Sequence, residues 1–155
     1  MIGFVYFFED IIRNFSSGIV GVDIETTIFD ARRLGATHCL LVDVTKFQLA
    51  KYYSHQDSEI VLERRESLEE VEVAYPQATF VYLERAETLA NANIPYSLLP
   101  NFTHPEDVIY VVGRDAGGGI VAGREAKTWV TIPVENLWAR TAVCLCLYDR
   151  LVKSL

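Results

Sequence analysis

The residues that point most directly to chemistry form a glycine-rich segment in the last third of the chain. Five of the nine glycines stand at positions 113, 117, 118, 119 and 123, directly after the apolar run Val108–Val112. Glycine lets a backbone approach a ligand closely, and in open α/β sheets ligands bind where the strands end. We therefore interpret this segment as a candidate ligand-binding loop, with a plain flexible turn as the alternative.

The glycine-rich segment differs from the two common phosphate-binding patterns. A P-loop has Lys-Ser or Lys-Thr directly after its glycines, and no such pair follows here. The order Gly113-x-x-x-Gly117-Gly118-Gly119 also differs from the G-x-G-x-x-G of dinucleotide sites. The pattern thus predicts a ligand loop without identifying its ligand.

A second candidate loop follows the next apolar run along the chain. Residues 128–132 have strand composition and end at Pro133, which fixes the backbone as the chain leaves the sheet. Glu135 then leads into a helix predicted from Asn136. The two loops lie side by side if their strands are neighbours.

The elements that must position these loops alternate between strands and helices, which predicts an α/β fold with a mainly parallel sheet and helices on both faces. A loop is predicted over 10–21, and a loop or short edge piece over 96–99. The predicted strands are 2–8, 38–44, 79–83, 108–112 and 128–132. The predicted helices are one from Asp23 to Gly35, one over 66–71, one or two turns within 85–93, and the last from Asn136. At 155 residues the chain fits a single domain, 1–155.

In this order the segments resemble the SPOUT family of methyltransferases, in particular the branch that methylates ribose 2′-hydroxyls of tRNA or rRNA. Three stretches carry the resemblance: strand 2–8 with the later helix end 34–36, then 108–120, and finally 128–148. The middle stretch is similar to that family's strand followed by Gly-x-Glu-x-x-Gly, with Asp115 in place of the Glu. The last, an Ile-Pro turn before an apolar helix, is the most specific.

The resemblance implies a C-terminal trefoil knot whose loops bind S-adenosylmethionine. It also implies a homodimer in which RNA and cofactor meet near the subunit interface. The cofactor contacts of that family are largely with backbone atoms. The positions of this chain that match them are Leu83, Glu84, Gly113, Gly118, Ile132 and Leu137.

The side chains that the family normally uses for catalysis differ in this chain. Phe29 stands where an arginine normally organises the RNA phosphate and ribose, and Asp23 stands where an asparagine is usual. Trp138 and Arg140 occupy positions where the family usually has Asn and Ser. Trp138 would stack on a base or pack an interface.

Methyl transfer from a sulfonium needs mainly positioning, plus a way to remove or stabilise the hydroxyl proton, so the missing arginine could be replaced from another position. We hypothesise that Arg140 is this replacement, with Asp115 and Arg114 opposite it, and these three are the candidate catalytic residues. The alternative for Arg140 is a dimer or surface ion pair. Arg32 and Arg33 are further candidates, and a simple preference for positive charge at a helix C-terminus is their alternative.

Composition restricts the classes of protein and site. With 50% hydrophobic and 23% charged residues the chain is globular, not disordered. No apolar run approaches the ~18 residues of a membrane span, and the first residues lack the basic flank of a signal peptide. The 3 cysteines and 3 scattered histidines match no metal-ligand spacing. We therefore expect no membrane partner, no metal and a reduced, cytoplasmic location.

The net charge of −7 is unevenly distributed. Residues 57–87 contain nine acids and three arginines, a balance of −6, whereas from Gly113 onward six bases face four acids, a balance of +2. An anionic partner could approach the C-terminal part without meeting the acidic block, although both regions could be ordinary solvated surfaces.

Three functions remain open. The first is an S-adenosylmethionine-dependent methyltransferase acting on RNA, at a ribose 2′-oxygen of tRNA or rRNA. The second is a SPOUT-like homodimer that binds RNA or cofactor and has lost catalysis. The third is an unrelated α/β domain whose resemblance is accidental.

Overall fold

The computed structural model describes residues 1–7, 17–42, 59–113, 119–135 and 137–155. Side chains of the first helix are described from Glu25 onward. The strands are β1 (Ile2–Phe7), β2 (His38–Val42), β3 (Val61–Arg65), β4 (Thr79–Leu83), β5 (Ser97–Leu98), β6 (Val108–Val112) and β7 (Thr128–Thr131). The helices are α1 (Ser17–Arg33), α2 (Leu68–Ala74), α3 (Ala86–Asn91) and α4 (Ala139–Lys153), with a 3₁₀ turn at Leu99–Asn101.

The strands form one seven-stranded sheet in the order β3-β2-β1-β6-β4-β7-β5. Every pairing between neighbouring strands is parallel. All five residues of β6 are buried, as expected for a central strand that is covered on both faces. The predicted parallel α/β fold is confirmed.

Helices cover both faces of this sheet. On one face, α1 and α4 pack in a single apolar cluster with Phe4, Cys39 and Tyr110. On the other face, Leu68 of α2 and Leu89 of α3 pack with residues of the same strands that point the opposite way. The predicted placement of helices on both faces is also confirmed.

The helix predicted from Asp23 begins earlier, at Ser17, so the predicted loop over 10–21 is wrong from residue 17 onward. Glycine within a helix costs about 1 kcal/mol relative to alanine, so Gly18 and Gly21 favour a loop. Packing outweighs this cost, because α1 buries Ile28 and Ala31 against the sheet. The predicted C-terminal stop is confirmed: Gly35 has a φ of +94°, a conformation that glycine adopts readily.

Other boundaries moved by a few residues. The last helix begins at Ala139, with Trp138 as its N-cap, and not at Asn136. The strand predicted over 128–132 ends at Thr131. The predicted ends of the first two strands, residue 8 and residues 43–44, lie outside the described residues.

The two edges of the sheet are unlike its centre. Edge strand β3, which was not predicted, has the sequence Val-Leu-Glu-Arg-Arg and is only partly buried. The opposite edge strand, β5, is two exposed residues long and lies between Pro95 and Pro100. This agrees with the short edge piece predicted over 96–99. Within the described part of the chain, no helix is long and apolar enough to cross a membrane.

Candidate functional site

The candidate site lies where three neighbouring strands end. Leu83 of β4 is paired with Val112 of β6 on one side and with Val130 of β7 on the other. Because all three strands are parallel, the residues that follow them lie together at the C-terminal ends of the strands. The structure thus brings together four of the predicted cofactor-binding positions, which are Leu83, Glu84, Gly113 and Ile132.

Gly113 and Glu84 are in close contact at these strand ends. A Cβ atom at position 113 would lie 2.9 Å from Oε2 of Glu84 and 3.8 Å from the carbonyl oxygen of Leu83. Two backbone groups hold Glu84 in place. Its carboxylate accepts a hydrogen bond from the Arg85 amide (2.8 Å), and its own amide donates to the Val130 carbonyl (3.4 Å). Glycine at 113 therefore leaves space beside a half-buried carboxylate.

The loop after β7 makes a tight turn. The amide of Val134 donates to the carbonyl of Ile132 at 2.7 Å, with Pro133 between them. Ile132 packs against the apolar cluster that contains α4. Leu137, the sixth predicted cofactor-binding position, is half-buried just before that helix.

Arg140 is exposed in the first turn of α4. Its charge acts on Cys144, one turn further along: burial raises the pKa of that thiol, Asp30 raises it further, and Arg140 lowers it. Arg114, Asp115 and Gly118 lie outside the described residues. The catalytic grouping of Arg140 with Asp115 and Arg114 therefore stays a prediction.

The two other candidate arginines lie around Phe29 at the end of α1. The guanidinium of Arg33 is 4.1 Å from the centre of the Phe29 ring, and that of Arg32 is 5.9 Å from it. Arg32 is also paired with Glu59. Phe29 is 46% exposed, so this group forms a cationic aromatic surface.

A buried polar chain that sequence reasoning missed fastens the C-terminal helix. Tyr110 Oη lies 2.6 Å from Nδ1 of His104, and Nε2 of His104 lies 2.8 Å from Oδ2 of Asp149. The His104 side chain is only 4% exposed. Burial lowers the pKa of His104, although the bond with Asp149 opposes this. In the neutral ring that this pKa favours, Tyr110 donates to Nδ1 and Nε2 donates to Asp149.

Lys153 and Arg150, which flank the Tyr110–His104–Asp149 group, already have hydrogen-bond partners. Lys153 Nζ donates to the carbonyls of Leu99 (2.9 Å) and Phe102 (3.0 Å) and pairs with Asp149. Arg150 donates to the carbonyl of Glu106 at 3.0 Å. We interpret this cluster as structural, because Lys153 and Arg150 donate to main-chain carbonyl oxygens of the same protein.

A second cluster that sequence reasoning missed is centred on Arg124, which lies between β6 and β7 in the sequence. Its Nε and Nη2 atoms lie 2.7 Å and 3.2 Å from the two oxygens of Glu72, and Nη2 also lies 3.0 Å from Glu69. The Tyr82 hydroxyl donates to the same Glu72 carboxylate. Burial raises the pKa of Glu72, but the bonds from Arg124 and Tyr82 outweigh it and hold that pKa below its usual range.

Solved structures reveal what this arrangement is similar to. The chain aligns over 99% of its length with the SpoU methyltransferase AviRb of Streptomyces viridochromogenes, solved in complex with AdoMet, at a TM-score of 0.64 and 18% identity. It aligns equally with an RNA 2′-O ribose methyltransferase, at a TM-score of 0.64 and 17% identity. An AdoMet-bound rRNA methyltransferase of Sinorhizobium meliloti gives a TM-score of 0.62 at 17% identity, again over 99% of this chain.

The fold is that of the SpoU methyltransferases. The parallel α/β fold expected from the resemblance is thereby confirmed, and the trefoil knot stays a prediction. The chain spans 59% of the length of AviRb and 56% of the other two proteins. No family model matches the sequence, and no curated protein matches it either.

Within this SpoU fold, the described residues contain no group of histidine, cysteine and carboxylate side chains that could hold a metal ion.

Proposed function

We propose that this chain is an S-adenosylmethionine-dependent methyltransferase that acts on RNA, at a ribose 2′-oxygen of tRNA or rRNA. The observation that carries the proposal is the site at the ends of β4, β6 and β7. It lies in a fold shared with enzymes solved with AdoMet bound and with an RNA 2′-O ribose methyltransferase.

The described residues fit such a cofactor. Gly113 leaves the space that a Cβ would fill beside Glu84, and the Glu84 carboxylate is an acceptor for hydroxyl groups. Among the described residues, the predicted contacts are completed by the backbone after Leu83, by Ile132 and by the half-buried Leu137. Gly118, outside the described residues, is proposed as a further contact. The bound cofactor supplies a methyl group on a positively charged sulfonium.

For catalysis we propose Arg140, with Asp115 and Arg114 opposite it. A guanidinium near the acceptor hydroxyl would stabilise the oxygen as it takes the methyl group and its proton passes to water, and it would position the ribose through hydrogen bonds. The exposed position of Arg140 at the start of α4 keeps it accessible to an RNA.

We further propose a homodimer formed through α4. Tyr148 and Val152 lie one turn apart on this helix and are 57% and 47% exposed, and Leu155, just beyond its end, is 97% exposed. Trp138, 53% exposed, lies at its start. A row of exposed apolar groups of this kind is characteristic of an interaction surface.

The remaining expectations belong to the same proposal. We propose one domain over 1–155, a trefoil knot in its C-terminal part and a cytoplasmic location. Cys39, Cys144 and Cys146 are all free thiols, which suits a reducing compartment.

A second candidate function is a homodimer that binds cofactor or RNA without catalysing transfer. Phe29 and Trp138 favour it, because they stand where the resembled family has polar catalytic side chains.

Calorimetric titration with S-adenosylmethionine and S-adenosylhomocysteine tests the cofactor site. We expect binding in the micromolar range, about 8 kcal/mol. Absence of binding at about 1 mM ligand would overturn the proposal.

Transfer of a labelled methyl group to tRNA and rRNA then separates the two candidate functions. We expect Arg140→Ala to abolish transfer while cofactor binding survives. Unchanged transfer in this variant would remove Arg140 from the mechanism. Cofactor binding by the wild type without transfer to any RNA would favour the second candidate.

A further inference from the structure

The turn that follows β4 contains an exposed arginine. Arg85 comes directly after Glu84, and β4 is the middle strand of the three whose ends form the candidate site. Arg85 is the N-cap residue of α3, but its side chain makes no capping hydrogen bond. The local structure therefore leaves the guanidinium open to solvent beside the site.

Arg85 differs in its pairing from the other arginines of the acidic block, residues 57–87. The block contains three arginines. Two of them are paired with glutamates of the same block, Arg64 with Glu66 and Arg65 with Glu63. Arg85 forms no ion pair with any residue that the structure describes. Its charge is thus available to an anionic ligand.

Arg85 and Glu84 point to opposite faces of the sheet. Tyr82 belongs to the apolar cluster on the face of α2 and α3, and Glu84, two residues further along, lies against Gly113 on that face. Leu83 belongs to the cluster that contains α4. The backbone is still extended at Arg85 (φ −65°, ψ 142°), so the alternation continues and Arg85 points to the face of α4.

The proposed catalytic residue Arg140 lies on this same face. Val143 and Leu147 pack α4 into the apolar cluster there. The helix begins at Ala139, after the connection that leaves the C-terminal end of β7, and Arg140 is exposed in its first turn. Arg85 and Arg140 are therefore both at the C-terminal ends of the strands, on the side opposite to the Glu84 carboxylate.

A phosphate of an RNA is the anion that fits this placement. Each nucleotide of an RNA has a phosphate next to its ribose, so a ribose beside Arg140 brings a phosphate to the same strand ends. The two parallel N–H donors of a guanidinium match the oxygens of a phosphate. The Glu84 carboxylate repels anions on its own side of the sheet, which favours the Arg85 side for the RNA backbone.

We propose that Arg85 binds a phosphate of the substrate RNA next to the ribose that accepts the methyl group. This inference rests on the proposed function. Arg85 acts on the affinity for RNA and leaves the affinity for the cofactor unchanged. Its charge also lets an RNA reach the strand ends although the acidic block lies beside them.

The first experiment measures the affinity for tRNA and for rRNA by filter binding at several salt concentrations, with S-adenosylhomocysteine present. We expect Arg85→Ala to raise Kd about tenfold and to reduce the slope of log Kd against log salt by about one unit. Arg85→Lys should keep the slope, because the slope counts the charges that neutralise phosphates.

The matched control is Arg65→Ala, which removes an arginine of the same acidic block. Arg65 is paired with Glu63 and belongs to β3, at the far edge of the sheet from the candidate site. Its loss should change the Kd for RNA by less than about twofold.

The second experiment measures cofactor affinity and methyl transfer. The Kd of Arg85→Ala for S-adenosylhomocysteine should stay within about twofold of the wild type. The KM for RNA should rise while kcat changes little, since a phosphate contact binds the ground state and the transition state alike.

Each contrary result has a distinct meaning. If Arg85→Ala binds RNA with the wild-type Kd and slope, the phosphate contact is overturned. If its Kd rises for S-adenosylhomocysteine and not for RNA, Arg85 binds the cofactor instead. If the wild type binds cofactor but no RNA, this inference fails and the cofactor site stands. If the wild type binds neither, the proposed function fails as well. Circular dichroism shows that each variant is folded, and Arg85→Gln replaces Arg85→Ala if the latter is not.

Discussion

At the scale of single residues, the candidate site depends on an atom that is missing. Gly113 has no Cβ, and its absence gives the Glu84 carboxylate its place at the ends of β4 and β6. The atom that a Cβ would meet is the far end of a flexible side chain, so the folded chain tolerates the change more readily than the site does.

We therefore expect Gly113→Ala to weaken S-adenosylhomocysteine binding by about tenfold, because the displaced carboxylate and the new methyl group occupy the site. The free energy of unfolding should change by less than about 1 kcal/mol. Calorimetry and thermal unfolding measure the two effects. Gly3→Ala is the control, since Gly3 lies near the start of β1, away from the strand ends that form the site, and a Cβ there would meet Ile109 at 3.3 Å. Equal affinities for the two variants would contradict the role of Gly113.

His104 makes stability depend on pH. Its pKa in the folded chain lies below the ordinary 6.5, mainly through burial. Between these two values the unfolded chain binds more protons than the folded one, so the free energy of unfolding falls as the pH drops through 6.5. Below the folded pKa the loss is complete.

We expect this fall to reach at most about 1.4 kcal/mol per pH unit for one proton, and to be smaller in His104→Gln. Urea unfolding of both proteins between pH 7 and pH 5 (roughly the range over which His titrates) measures it. Burial also lowers the pKa of His38, and that contribution cancels in the difference between the two proteins. If the free energy of unfolding of the two proteins changed equally with pH, the lowered pKa of His104 would be contradicted.

At the scale of elements, α4 combines a buried face with an exposed apolar one. Val143, Cys146 and Leu147 pack into the core, whereas Tyr148 and Val152 point to the surface. The same helix thus closes the fold and presents the proposed dimer surface.

We expect the double variant Tyr148→Lys and Val152→Lys to be monomeric, with the dimer Kd raised by about a hundredfold or more, since two charges would be buried without partners. Lysine near the end of a helix suits its dipole, so the helix itself should survive. Sedimentation measures the change in mass. Val73→Lys is the control, because Val73 is 80% exposed on α2. A double variant that remains dimeric would move the interface elsewhere.

Elements differ in how far the sequence determines them. Strand β6 was predicted to the residue, because a continuous apolar run between Asp107 and Gly113 has few alternatives. Strand β3 was missed, because an edge strand with three charges carries no apolar signal. The loops of the candidate site were predictable from glycine and proline. The pairs Arg124–Glu72 and His104–Asp149 were not, since only tertiary packing brings residues so far apart in the sequence together.

At the scale of the whole molecule, internal pairing moderates the uneven charge. Within the acidic block, residues 57–87, Glu63 pairs with Arg65 and Glu66 pairs with Arg64. Glu69 pairs with Arg124 from outside it. The block nevertheless remains acidic, and the C-terminal part remains the side that favours an anionic partner.

We expect RNA to bind across the C-terminal part with an affinity that falls as salt rises. Lys127, exposed directly before β7, should account for about one unit of the slope of log Kd against log salt if it contacts a phosphate. Filter binding of tRNA at several salt concentrations measures the slope for Lys127→Ala. Arg64→Ala, in the acidic block, should leave it unchanged. The reverse result would place RNA on the acidic face.

The two edges of the sheet bear on how copies of this chain associate. An open strand edge is a template on which another chain adds strands, and this is a route to domain swapping and fibres. Here one edge offers only the two residues of β5, and the other, β3, has Glu63, Arg64 and Arg65 in a strand of five. Both edges resist the addition of a further strand. We therefore expect crowded copies of the protein to meet through their helices, and the proposed dimer surface on α4 lies apart from the open strand edges on which an aggregate would grow.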